Sequence, residues 1–223
     1  MNLWSVFSKL LYEGLRIATL SRVTVLDEGG LAALDGSTPV LLAANHQSHA
    51  DTSVIFFALP RAKRTRARFV ASGRRFRLAP KGAPLKERLE RWMLTGLALR
   101  VFRAILVGGE DSGLRAIELI ASALEHGDIV VMYPEGTRSL TGALGSLKPG
   151  VAMLAISTHC VVVPVRVEGT LHALPKSRRF PRLMNRITVR FRAPLTAASC
   201  ETHEQFLARV ALAIAPTSYE TAL

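Results

Sequence analysis

Three short apolar runs constrain this chain more than anything else in it: Val40-Leu41-Leu42-Ala43-Ala44, Ile129-Val130-Val131-Met132 and Val161-Val162-Val163-Pro164-Val165. Each is too short for a buried helix, and none alternates with polar residues as a half-solvated strand does. Runs of this kind are strands buried on both faces. Helical patterns separate them, so the chain alternates strand and helix, which predicts an α/β domain with a largely buried sheet. The spacing predicts strands over Arg22–Leu26, Val40–Ala44, Arg68–Ala71, Ala104–Val107, Asp128–Tyr133, Val161–Val167 and Ile187–Phe191. Helices are expected over Asp51–Leu59, Lys86–Arg103, Ser112–Glu125, Val151–Thr158 and Thr202–Ala215. Gly127 supplies a stop after the third of these.

An amphipathic helix is expected at residues 3–18, where Leu3, Trp4, Phe7, Leu10, Leu11, Leu15 and Ile17 oppose Ser5, Ser8, Lys9, Glu13 and Arg16. Such a helix packs on its own domain or lies in a lipid interface. The organisation is therefore an N-terminal helical segment, 1–20, and one domain, 21–223. No stretch reads as a membrane span: the uncharged run Pro149–Val165 is interrupted by Gly150, His159 and Pro164. The N-terminus carries Lys9, Glu13 and Arg16 where a signal peptide needs an apolar core. Only two cysteines are present, Cys160 and Cys200, which excludes a disulfide scaffold and suits a reducing cytosol.

Charge narrows the partners. Lys and Arg number 29 against 17 Asp and Glu, a net charge of +12. No acid occurs between Asp51 and Glu87, while Arg61, Lys63, Arg64, Arg66, Arg68, Arg74, Arg75, Arg77, Lys81 and Lys86 fall there. A second acid-free stretch, Gly169–Cys200, holds seven more cations. Such a balance calls for an anionic partner: nucleic acid, anionic lipid or phosphorylated substrates. Aromatic residues are only 6% and do not interleave the arginines, which argues against single-stranded nucleic acid.

Two loops at predicted strand ends carry residues suited to chemistry. After Val40–Ala44 comes Asn45-His46-Gln47-Ser48-His49-Ala50-Asp51. Residues five apart on one helix point about 140° apart, so His46 and Asp51 can meet only if His46 lies in the turn and Asp51 starts the helix. An Asp on one ring nitrogen fixes the tautomer and frees the other nitrogen to accept a proton. No nucleophilic Ser, Cys or Thr sits in a recognisable elbow, so the pair suits general-base activation of a substrate hydroxyl. A metal site is not expected, because His46 and His49 lack a partnering Cys or Glu cluster. A hydrogen-bonded structural His is the alternative. The second loop, Tyr133-Pro134-Glu135-Gly136-Thr137-Arg138-Ser139, follows Ile129–Met132. Its Pro ends the ladder, its Gly permits unusual backbone angles, and its Arg can fork onto a phosphate or carboxylate.

Together the two loops resemble the blocks of the glycerolipid acyltransferase family. The first block is N-H-x4-D, here Asn45, His46 and Asp51, and the third is F/Y-P-E-G-T-R-S, here Tyr133 to Ser139. A later apolar run closed by Pro matches Val161–Val165, and Lys148-Pro149-Gly150-Val151 falls where family members carry F-K-x-G. The resemblance implies a mostly buried mixed sheet flanked by helices. It also implies acyl transfer from acyl-CoA or acyl carrier protein to a hydroxyl of a lysolipid such as 1-acyl-glycerol-3-phosphate, with no cofactor and no metal. His46 is then the general base, Asp51 its partner, and Glu135, Gly136, Thr137 and Arg138 bind substrate.

One block departs from the family. Its second usually ends a short strand with Arg, whereas this chain reads Ile105-Leu106-Val107-Gly108-Gly109-Glu110, with Arg103 and Arg115 flanking. Free 1-acyl-glycerol-3-phosphate is therefore expected to be a poorer acceptor than a lysolipid with a substituted phosphate or none. Transfer to a phosphate-free lipid, thioester hydrolysis by the same His–Asp pair, and a basic nucleic-acid-binding protein are the alternatives. The basic stretches and the N-terminal helix predict peripheral attachment to an anionic membrane, at its cytoplasmic face.

Overall fold

A computed structural model of the chain describes residues 13, 21–73, 82–108, 113–174 and 182–215. The expected helix at 3–18 lies, Glu13 apart, outside the described residues, as do Arg74–Lys81 of the first basic stretch.

The apolar runs form strands within a residue or two of their predicted bounds. They are β1 (Arg22–Asp27), β2 (Val40–Ala44), β3 (Ala67–Ser72), β4 (Ile105–Val107), β5 (Ile129–Met132), β6 (Val161–Glu168) and β7 (Arg186–Phe191). The helices are α1 (Ala50–Ala58), α2 (Leu85–Gly96), α3 (Leu114–Glu125), α4 (Gly150–Thr158), the short α5 (Thr170–Ala173) and α6 (His203–Ile214). One sheet results, in the order β1-β7-β6-β2-β5-β3-β4. Strands β6, β2, β5, β3 and β4 run parallel; β7 is antiparallel to β6, and β1 runs parallel to β7. This is the mixed, helix-flanked sheet that the resemblance implied.

Every residue of β2 is buried, as a strand covered on both faces must be. Its alternate side chains feed two cores. Leu42 and Ala44 meet Val54, Ile55 and Phe56 of α1 and Leu59 just after it, with Phe69 and Phe102. Leu41 and Ala43 meet Ile120 and Leu124 of α3, Leu154 of α4 and Phe206 of α6. Pro164 is tolerated inside β6 because the strand pairs with β7 only from Val165 onward, before an isolated bridge joins Val162 to Leu195. A reciprocal cap, Gln205 N–H to Thr202 Oγ1 and Thr202 N–H to Gln205 Oε1, starts α6.

The long helix expected over Lys86–Arg103 runs unbroken from Leu85 to Val101 but is not α throughout. After Gly96 it widens into a π turn at Leu97–Val101, the Phe102 N–H bonds the Leu97 carbonyl, and Arg103 takes a φ of 45°. The wider turn seats Phe102 against Phe56 and Phe69, at centroid distances of 5.4 and 5.5 Å.

Parallel strands put the ends of β2, β5 and β6 at one edge of the sheet, with α1 and α5 starting there. Gly169, at φ 81°, makes the turn from β6 into α5, and an added Cβ would run into the Arg186 carbonyl oxygen. Gly169→Ala is therefore expected to cost at least about 2 kcal/mol, lowering Tm by roughly 4–8 °C in thermal unfolding.

Candidate active site

The loop after β2 is pinned before it reaches His46. The Asn45 side chain donates to the Val167 carbonyl at 2.9 Å and accepts from the Val167 N–H at 2.7 Å. The amide thus adds a rung beyond the last backbone bond of the β2–β6 ladder, the Asn45 N–H to the Val165 carbonyl at 3.4 Å. The chain then rises through His46, Gln47 and Ser48 into α1, whose first turn holds Asp51.

Asp51 is fully buried, and one of its oxygens gathers three donors. Oδ2 lies 2.8 Å from His46 Nδ1, 2.7 Å from the Gln47 N–H and 2.8 Å from the Ser48 N–H. An ionised carboxylate only accepts, so Nδ1 carries the proton and Nε2 keeps its lone pair. The His46 side chain is 17% exposed. His46 in the turn and Asp51 at the helix start is the arrangement their spacing required.

The loop after β5 completes the setting. Tyr133 stacks on the imidazole, with centroids 4.0 Å apart and planes 18° apart. Its hydroxyl sits 3.0 Å from Thr52 Oγ1. Burial, and then the Asp51 charge, push the Tyr133 phenol well above its ordinary pKa, with the Thr52 bond partly offsetting. The group stays neutral and serves as a ring and a hydrogen-bonding hydroxyl.

Glu135 is buried, with both oxygens committed to backbone: Oε1 accepts the His46 N–H at 2.8 Å and Oε2 the Gly145 N–H at 2.9 Å. The Ser139 N–H closes the pair of loops by bonding the His46 carbonyl at 2.8 Å. Glu135 therefore holds loop to loop. Gly136 (φ 67°) and Thr137 are exposed beside it, with Arg138 half-buried. It is the φ that favours glycine at 136; an added Cβ would come within 2.6 Å of Lys148 Cε and Nζ, but these are the movable end of a flexible side chain. That Lys side chain lies across the glycine, and the Lys148 backbone N–H donates to the Pro134 carbonyl at 2.9 Å.

Other sequence candidates separate. Arg103 stands at the opposite edge of the sheet, bonded to Asp128 Oδ1 at 3.1 Å, while Arg68 takes Oδ2 at 3.3 Å. Asp128 precedes β5 and Tyr133 follows it, so Arg103 cannot serve the loops at the strand ends. Arg115 lies in the first turn of α3 and is exposed at the catalytic edge. His49 is the exposed residue before α1. Cys160 is buried at the far end of β6, where burial raises its thiol pKa. Among the described residues no three metal-ligating side chains converge. Tyr133, Thr52 and Lys148 gain roles that spacing alone did not disclose; only the Lys-Pro-Gly segment hinted at the last.

A base-type His–Asp pair at the ends of parallel strands, framed by an EGTR loop, is the layout of an acyltransferase. The chain belongs to the acyltransferase family, whose model matches residues 22–168. It is 28% identical over 148 residues to the "Probable 1-acyl-sn-glycerol-3-phosphate acyltransferase" of Mycoplasma genitalium, covering 63% of this chain and 48% of that protein. It is also 28% identical over 148 residues to a chloroplastic 1-acyl-sn-glycerol-3-phosphate acyltransferase of Arabidopsis thaliana, covering 66% and 36% respectively. The chain thus spans half or less of the length of these relatives. Its fold matches the crystal structure of the 1-acyl-sn-glycerophosphate acyltransferase PlsC from Thermotoga maritima, with a TM-score of 0.65 and 22% identity, over 95% of this chain and 75% of that one.

The Glu135 clip makes a stability prediction. Glu135→Ala strands two backbone N–H groups, and each buried unsatisfied donor costs about 1–3 kcal/mol. A loss of about 2–4 kcal/mol is expected in denaturant unfolding, whereas Tyr133→Phe, which keeps the stacked ring, should lose less than about 1.5 kcal/mol.

Proposed function

We propose that the chain transfers an acyl group from a thioester, acyl-CoA or acyl carrier protein, to the free hydroxyl of a 1-acyl-glycerol-3-phosphate-type lysolipid. The observation that carries the reading is the buried Asp51 on Nδ1 of a part-exposed His46, which leaves Nε2 as the base. Nε2 takes the proton of the acceptor hydroxyl as its oxygen attacks the thioester carbonyl. Asp51 stabilises the imidazolium formed, and the stacked Tyr133 ring presents its face to that cation. Collapse of the tetrahedral intermediate expels the thiolate, which recovers the proton from His46. The product is an ester and a free thiol, with no covalent acyl-enzyme.

The acceptor is assigned from two sources. The relatives carry names that specify 1-acyl-sn-glycerol-3-phosphate. The missing second-block Arg argues for weaker phosphate binding, but Lys148 sets an ammonium over Gly136 beside Arg138. We assign these two cations to the acceptor phosphate, with Gly136 and Thr137 lining the approach. Since the acceptor is a lipid, peripheral attachment at the cytoplasmic face of a membrane belongs to the same proposal.

His46→Ala is expected to lower acyl transfer by about 10²–10⁴-fold with an unchanged circular dichroism spectrum. Asp51→Asn should cost at least about tenfold, and His49→Ala little. A folded His46→Ala variant with near-normal turnover overturns the mechanism. Acyl chain release that ignores added acceptor points to hydrolysis instead.

A second measurement addresses the acceptor. Loss of one charge-assisted contact of about 1.5–3 kcal/mol should raise KM about 10–100-fold for 1-acyl-glycerol-3-phosphate in Arg138→Ala or Lys148→Ala. A monoacylglycerol acceptor should be far less affected. Equal loss on both acceptors, or a wild-type preference for the phosphate-free lipid, overturns the phosphate assignment.

A further inference from the structure

Helix α2 is built inside out. Amphipathic helices of a soluble domain turn their apolar stripe to the core and their charges to water. No residue of α2 is buried, and Leu85, Leu89, Trp92 and Met93 are 77, 60, 56 and 37% exposed. At 3.6 residues per turn these four side chains share one arc of about 100°. Of the five half-buried positions, Glu87, Glu90 and Arg91 are charged, with Glu87 and Arg91 paired at 3.0 Å, and Thr95 and Gly96 are not; one more exposed leucine, Leu94, lies outside the arc. The two exposed cations Lys86 and Arg88 border the apolar arc, one on each side. The carboxylates of the helix fall on the opposite side.

We propose that this stripe is the surface by which the protein docks on an anionic lipid bilayer, with α2 lying in the interface. The inference rests on the lysolipid reading above and names the surface through which that acceptor is reached. Three observations select lipid over other occupants. Lys86 and Arg88 are placed where anionic headgroups would border an inserted apolar stripe, and Trp92 is suited to the headgroup level. A two-fold pairing of the stripe with a second copy would bring Lys86 and Arg88 against their own counterparts, like charge to like. The helix also belongs to the crossover from β3 to the parallel β4, which leaves the sheet on the side where β3 ends, the side of the loop that holds His46.

The chain contains two tryptophans, Trp4 and Trp92, so Trp4→Phe leaves Trp92 as the sole reporter. Its emission is to be followed in the full chain against phosphatidylcholine vesicles, with and without about one-third phosphatidylglycerol. The expected result is a blue shift on anionic vesicles and quenching by brominated acyl chains, both reversed by high salt. In co-sedimentation of the otherwise unaltered chain, Leu89→Asp should abolish the anionic-vesicle fraction. Lys86→Ala with Arg88→Ala should weaken it about 20–30-fold, at about 5-fold per charge near the surface.

Trp92 emission indifferent to vesicles overturns the proposal and assigns the stripe to a segment of the chain itself. A shift that follows protein concentration, with a doubled mass in light scattering, overturns it in favour of a second copy. Transfer assayed in detergent micelles separates this from the catalytic reading. Leu89→Asp should match wild type there and lose activity only on vesicles; a wild type inactive in both formats refutes the catalysis, while the quenching still decides the docking.

Discussion

A buried carboxylate organises the edge of the sheet where β2 and β5 end. Asp51 sits at zero exposure, and its Oδ2 collects three N–H donors within 2.8 Å. Two of those donors are backbone, so the carboxylate wraps the loop at Gln47 and Ser48 around itself. The third is the His46 ring, whose tautomer is thereby settled. One interaction thus sets the loop's path, the ring's orientation and the nitrogen available to a substrate.

That arrangement would drift without the anchors around it. Asn45 ties the loop's start to Val167, Glu135 ties its middle to Gly145, and Ser48 Oγ donates to the Leu174 carbonyl at 2.7 Å. Each anchor reaches a different neighbour in the sheet: β6, the loop after β5, and the end of α5. The loop hangs between three rigid supports, and His46 moves only if one lets go. The EGTR loop reads differently in this light. Its Glu is a strap, and its Gly, at φ 67°, lies under the Lys148 side chain.

The two edges of the sheet divide the work of the arginines. At the strand starts, Arg68 and Arg103 share Asp128, and Arg66 Nε donates to the Gly127 carbonyl at 2.8 Å. These cations close the frame of the fold. At the strand ends lie Lys148 and Arg115, and beyond β3 the exposed cations Lys86 and Arg88. Among the described residues, then, the cations at the strand starts are bonded into the frame of the fold, while Lys86, Arg88, Arg115 and Lys148 are exposed.

The sequence by itself determined the strands, because short runs apolar at every position have no stable place but a sheet covered on both faces. It also determined that His46 and Asp51 could pair, since a turn followed by a helix start is the only local geometry that joins residues five apart. Chain order and turn chemistry are local, and locality is what a single sequence displays. Tertiary structure alone decided what depends on distant partners. The reversal of β7 against β6 and the Asn45–Val167 rung across 122 positions are of this kind. So are the stacking of Tyr133 on His46 and the removal of Arg103 to the far edge. Amphipathicity in α2 was visible as spacing, but which side meets the body was not. A periodic pattern specifies that a helix has two faces, and only the packed neighbours specify which one they cover.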